Sequence, residues 1–218
     1  MNASKNRMQT RTTYDRLSGW YDLLSNPAEG RARQKAISLL DVQTDDHILE
    51  IGCGTGNSSI EMGGKVKSGG YVYALDLSPK MLKVAHMKHQ RQGFLSRTGF
   101  FCGDAISLPF PAHSLTGILI SFTLELFTED EILIILSDCR RILRRGGRLC
   151  VLSMSKWQPN ARMLKPYEWL HEHMPAWFDC RPILLHKTLE QNGFRIIDDR
   201  RSSLFGLPIE TVLAEPLT

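Results

Sequence analysis

Two periods of apolar residues alternate along the chain. Compact apolar runs occupy 47–51, 71–76, 99–105, 114–122 and 149–154, and each is followed by a stretch with helical spacing or by a polar turn. Short, nearly continuous apolar runs read as parallel strands buried on both faces. Pro79 to Gln92 carries Met81, Leu82 and Ala85 on one face, and Glu129 to Leu143 is amphipathic, so both read as helices. Glu29–Leu40, Ser58–Lys65 and Pro182–Gln191 read as three more, the last closed by Asn192-Gly193. Phe194–Arg200 and Leu207–Ala214 then read as two final strands. Strands alternating with helices predict one α/β domain around a largely parallel sheet.

Three regions stand outside this alternation. Residues 1–11 are polar and basic and read as a flexible tail. Within 12–40, Tyr14, Leu17, Tyr21 and Leu24 fall on one helical face, either packed on the core or lying over a pocket as a lid. Residues 155–181 gather Trp157, Tyr167, Trp169, Trp177 and Phe178 between the fifth strand and the last helix. Aromatic crowding there suits a cap over a flat or lipophilic substrate, and equally a cap that only packs on the core.

The densest chemistry lies at 47–56. The run His47 to Ile51 ends beside an acid, Glu50, and Gly52, Gly54 and Gly56 follow at every second position before a helix can start at Asn57. Bare backbone and free helix N–H groups at the end of a strand form a nucleotide-binding crevice. The dinucleotide pattern G-x-G-x-x-G would need a third glycine at position 57, which is Asn57. An acid in the turn suits a ligand carrying positive charge there. Asp76 ends the second strand, where a carboxylate can accept from both ribose hydroxyls. Ser78-Pro79 behind it reads as a helix cap with proline in the first turn.

Glu50-Ile51-Gly52-Cys53-Gly54-Thr55-Gly56 resembles the E/D-x-G-x-G-x-G motif of class I S-adenosylmethionine (SAM) dependent methyltransferases. Gly103-Asp104-Ala105 with Leu108-Pro109-Phe110 is similar to the third motif of that family, and Tyr14-Asp15 with Tyr21-Asp22 to the segment preceding its core. The resemblance covers about residues 14–215 and extends to the quinone-modifying methyltransferases. It implies a Rossmann-like seven-stranded sheet with helices on both faces and the last strand antiparallel. It implies SAM as cofactor, S-adenosylhomocysteine as product, and no metal. The cofactor residues it implies are Tyr14, Tyr21, Glu50, Gly52, Gly54, Gly56, Asp76, Leu77, Met81, Asp104, Ala105 and Ser121. Two departures stand out: Cys53 and Asn57 within the glycine motif, and Leu124-Glu125 where the quinone enzymes carry Arg-Asn.

Charge and cysteine usage narrow the reading. A net charge of +4 with basic residues clustered only at Arg140, Arg141, Arg144 and Arg145 fits a helix end better than an RNA footprint. Stable nucleic-acid binding is not expected. The five cysteines are scattered singly, which argues against zinc or a disulfide framework. No apolar run has membrane-spanning length, so a cytoplasmic protein is expected, with transient membrane-surface contact compatible. The predicted activity is methyl transfer to a small, lipophilic acceptor, a quinone-like ring or a lipid amine, by in-line attack in a closed pocket. The alternatives are an RNA- or protein-directed methyltransferase and a SAM-binding partner protein without turnover. Glu125, Tyr21 and His171 are the candidate bases, Glu125 being equally readable as a solvated acid near a helix start. Oligomeric state is not legible.

Overall fold

A computed structural model describes Thr12, Asp15, residues 27–157 and residues 181–217. The expectations for the tail, for Tyr14 and Tyr21, and for nearly all of the proposed cap, His171 included, lie outside the described residues.

The elements are α1 (Pro27–Leu40), β1 (His47–Ile51), α2 (Asn57–Lys65), β2 (Tyr71–Asp76), α3 (Pro79–Gln92), β3 (Thr98–Cys102), β4 (Leu115–Ser121), α4 (Glu129–Ile142), β5 (Leu143–Met154), α5 (Leu185–Gln191), β6 (Phe194–Leu204) and β7 (Leu207–Pro216). One seven-stranded sheet has the order β3-β2-β1-β4-β5-β7-β6. Strands β1 to β5 are parallel, and β7 runs antiparallel between β5 and β6. The order reverses between β1 and β4, which opens a crevice at the carboxyl ends of the central strands.

Side chains alternate between two cores. Leu49, Ile51, Ile118, Ile120, Leu149 and Val151 face α4 and α5 through Ile135, Leu136, Leu185 and Leu189. Ile48, Val72, Leu119, Cys150 and Leu152 face α1 and α2 through Ala36, Ile37, Leu40 and Met62. With both faces of the central strands covered, β1, β4 and β5 have no polar side, and this is why they read as continuous apolar runs. Cys139 and Cys150 are fully buried, as expected of small hydrophobes.

Two local features refine the sequence reading. Thr128 caps α4 with Glu131 in a complete capping box, so that helix starts where expected. The Arg145-Gly146-Gly147 turn does not precede β5 but loops out within it: Leu143 pairs with Leu115 and Arg148 with Gly117, two steps along β4 against five along β5. Gly146 takes φ 74° there. Arg141 at the end of α4 donates to Asp138 and to the carbonyls of Phe110 and Leu108, so this basic cluster does structural work.

The base of the sheet is tied by Asp46, 3% exposed, whose Oδ2 accepts from Arg148 Nη2 at 2.7 Å and from the Gln43 amide at 2.8 Å. Removing that carboxylate leaves a half-buried guanidinium and a backbone donor without their acceptor. Asp46→Ala is expected to lower unfolding free energy by about 2–3 kcal/mol, read as a lower urea midpoint at unchanged slope.

Candidate cofactor site

The glycine turn is held from behind by the end of β2. The amides of Gly52 and Cys53 both donate to the Leu75 carbonyl, at 2.8 and 3.0 Å, and the Gly56 amide donates to the Cys53 carbonyl at 2.9 Å. Gly52, Gly54 and Gly56 take φ of 74°, 52° and 82°. Their spaces differ. A Cβ on Gly52 would sit 2.2 Å from Thr123 Oγ1, and one on Gly56 would sit 2.8 Å from Ala85 Cβ, whereas a Cβ on Gly54 would meet nothing within 4 Å. Gly52 and Gly56 are therefore packing glycines, and Gly54 is the one that faces open space.

Asp76 is the keystone of the turn. Its Oδ2 accepts from the Gly54 amide and its Oδ1 from the Ser78 amide, both at 2.8 Å. Ser78 Oγ in turn accepts from the Met81 amide, capping α3 as expected with Pro79 in its first turn, and donates to Asp15 Oδ1 at 2.5 Å. Each carboxylate oxygen retains a further lone-pair direction for a ligand hydroxyl. Burial pushes the Asp76 carboxyl above its ordinary range, and the Ser78 and Gly54 amides pull it back.

Glu50, one residue before the end of β1, is 2% exposed. Burial pushes its pKa up to about 8, opposed by hydrogen bonds from Ser58 and Ser59 and by the Arg33 charge, and reinforced by Asp76. Its Oε2 has no hydrogen-bond partner among the described residues. It lines a crevice of about 40 Å³ together with Arg33, Gly52, Gly54, Asn57 and Ser121. That volume takes the polar end of a ligand, not a whole nucleoside. Arg33 reaches the crevice from α1, where it pairs with Glu29 at 2.5 Å. An acid and an arginine across one crevice, beside the N-terminus of α2, match the ammonium and carboxylate of an α-amino acid.

Of the residues expected at the cofactor, Glu50, Gly52, Gly54 and Ser121 line this crevice. Asp76, Leu77, Met81, Asp104 and Ala105 gather at the carboxyl ends of β2 and β3 outside it, with Met81 and Ala105 buried. Asp104 accepts from the Ile106 amide at 3.2 Å and so closes its own turn. Gly56 sits behind the turn, against α3. Glu125 is not a solvated acid: it is 1% exposed, and its Oε1 accepts from the Met154 amide at 3.1 Å, fastening the end of β5.

The sequence reading missed Arg33, whose helical position carries no motif signal, and the Ser58-Ser59 pair that binds Glu50. It also missed Phe122, a bulky residue at φ 48° beside the crevice, whose amide donates to the Leu152 carbonyl at 2.8 Å. Strain of that kind concentrates at functional sites and leaves no trace in composition.

Two expectations follow. Gly54→Ala is expected to fold with a loss of about 1 kcal/mol from its positive φ, yet to lose cofactor affinity, whereas Gly52→Ala, driven into Thr123, is expected to lower thermal stability markedly. Melting curves with and without SAM separate the two. An acid raised in the folded state binds a proton that the unfolded chain has released, so the stability it contributes is full below pH 4.5 and is lost as pH rises towards about 8. The ligand-free protein is expected to lose stability across that window relative to Glu50→Gln, and SAM affinity to rise with pH in the native protein and to be weak and flat in the variant, as read by calorimetry at several pH values.

Residues 8–180 match the family model described as the ubiE/COQ5 methyltransferase family. The chain is 31% identical over 172 residues to the ubiquinone/menaquinone biosynthesis C-methyltransferase of Teredinibacter turnerae, covering 77% of this chain and 68% of that protein. It is 31% identical over 148 residues to the demethylmenaquinone methyltransferase of Listeria welshimeri, covering 68% of this chain but 59% of that protein. Among solved structures, a SAM-dependent methyltransferase from Aquifex aeolicus superposes with TM-score 0.67 at 18% identity, over 90% of this chain and 97% of that one. The [4+2]-cyclase SpnF superposes with TM-score 0.69 at 16% identity, over 86% of this chain and 81% of that one. The structural likenesses bear out the expected Rossmann-like methyltransferase fold. The chain belongs to the ubiE/COQ5 methyltransferase family of SAM-dependent enzymes.

Proposed function

We propose that the protein transfers a methyl group from SAM to a small lipophilic acceptor with a quinone-like ring. The observation that carries the reading is the buried Glu50 carboxyl, one oxygen of which has no partner among the described residues, in a crevice it lines together with Arg33 at the glycine turn of a chain in this family. The site residues fit the cofactor: open space lies over Gly54, and an unsatisfied carboxyl oxygen stands where an ammonium would dock. In this reading Glu50 takes the ammonium, Arg33 exchanges Glu29 for the carboxylate, and Asp76 holds the ribose while keeping the turn in place. Asp104 and Ala105 take the adenine, with Leu77 and Met81 beside it, and Ser121 lies towards the transferring methyl.

When bound, SAM supplies a methyl already activated on a sulfonium. The protein's part is to align the acceptor for in-line attack and to exclude water. Residues 12–40 and 155–181 are proposed to close over the two ligands. Glu125 acts in this scheme as a positioning residue for the end of β5. Tyr21 and His171 remain the candidates to take the proton that a ring carbon loses on methylation. No helix among the described residues is long and apolar enough to cross a membrane, so a lipid-borne acceptor would be met at a surface.

Labelled methyl from SAM, incubated with host-cell extract and the protein, is expected in the solvent-extractable fraction, on a compound absent when Asp76→Asn replaces the native protein. Label confined to RNA or protein would overturn the acceptor class. SAM binding unchanged by Asp76→Asn and Gly54→Ala would overturn the site.

A further inference from the structure

A second open site lies at the opposite end of the strands. Helices α4 and α5 cover one face of the sheet over β1, β4, β5 and β7, but the crossing from β3 to β4, residues 103–114, contains no helix. Among the described residues, over β2 and β3 that face is covered by the loop that brings in Leu108 and Phe110. A parallel sheet ordinarily has helices on both faces. Here half-buried rings fill the gap: Tyr73 lies 4.9 Å from Tyr71 and 6.0 Å from Phe101, centroid to centroid, and His47 Nδ1 lies 3.2 Å from the Tyr73 hydroxyl. Gly99 leaves this face flat, since a Cβ there would stand 3.0 Å from the Tyr71 hydroxyl.

These rings line a cavity of about 930 Å³ whose rim carries Lys67 and Arg97 and whose described lining holds no acid. Arg97 is fixed by donating to the Val66 carbonyl at 2.9 Å, and Lys67 is exposed. The space is a broad, open basin with room for a small molecule. Flat aromatic walls stack planar rings, and two rim cations select negative charge. The cavity begins at the first residues of β1 and β2, whereas the cofactor crevice lies past their last, so one ligand cannot occupy both.

We propose that this cavity is a second ligand site, separate from the methyl-transfer site, for a small planar aromatic anion bearing a phosphate or carboxylate. Its existence does not depend on the acceptor assigned above. The probe is 1-naphthyl phosphate, titrated by calorimetry and by amide chemical shifts into the full chain saturated with S-adenosylhomocysteine, with 1-naphthol as its uncharged counterpart. The expected result is binding with shifts at residues 67–73 and 97–101, about tenfold or more weaker for 1-naphthol and for the surface variant Lys67→Glu. Tyr71→Ala is expected to weaken both compounds. Absence of binding, equal affinity for phosphate and naphthol, indifference to Lys67→Glu, or shifts confined to the glycine turn would each overturn the proposal.

Discussion

The geometry of the cofactor site hangs on one carboxylate. Asp76 receives the Gly54 amide on one oxygen and the Ser78 amide on the other, so a single side chain couples the glycine turn after β1 to the start of α3 after β2. Neither turn could keep its shape on intrinsic preference. Three glycines with positive φ are conformationally loose in isolation, and the turn is ordered because neighbouring strands receive its amides. Parallel pairing of β1 with β2, Ile51 against Leu75, brings both turns to one level. The carboxylate proposed for the ribose is thus also the scaffold carboxylate, so truncating it would disturb the turn as well as any ligand contact.

Glu50 obeys the opposite logic. Asp76 is satisfied by the protein, while Glu50 is buried without enough compensation to hold its charge near neutral pH. That is costly for the ligand-free fold and useful for binding. A cation entering the crevice restores the charge and meets a carboxylate already stripped of water, so affinity and proton release are linked. Arg33 lines the same crevice and pairs with Glu29. In the proposed reading, the crevice would select a zwitterionic amino-acid end by charge pairing.

Much of this was legible from residue order. The parallel strands stood out because burial erases polar alternation, and Ser78-Pro79 marked a helix start by local chemistry that tertiary packing did not override. Gly52, Gly54 and Gly56 were legible as a group, but not their division into two packing positions and one open one, which depends on Thr123 and Ala85 arriving from distant segments. Arg33 and Phe122 were illegible for the same reason: one is an ordinary charge on an amphipathic helix, the other an ordinary apolar residue whose strain exists only in the folded backbone. Glu125 reads as a surface acid until β5 buries it under the Met154 amide.

The fold alone would not decide the chemistry. A cyclase superposes on this chain as well as a methyltransferase does. What supports the proposed reading is the charge pattern at the first turn: a buried acid and an arginine lining one crevice at a helix start. The crossing from β3 to β4 shows the reverse side of the same economy. By dispensing with a helix there, the chain leaves Tyr71, Tyr73 and Phe101 to finish the sheet with rings in place of aliphatic packing. Rings with polar edges tolerate partial exposure as a row of leucines would not. The far end of the sheet can therefore stay open without destabilising the strands whose other ends hold the cofactor.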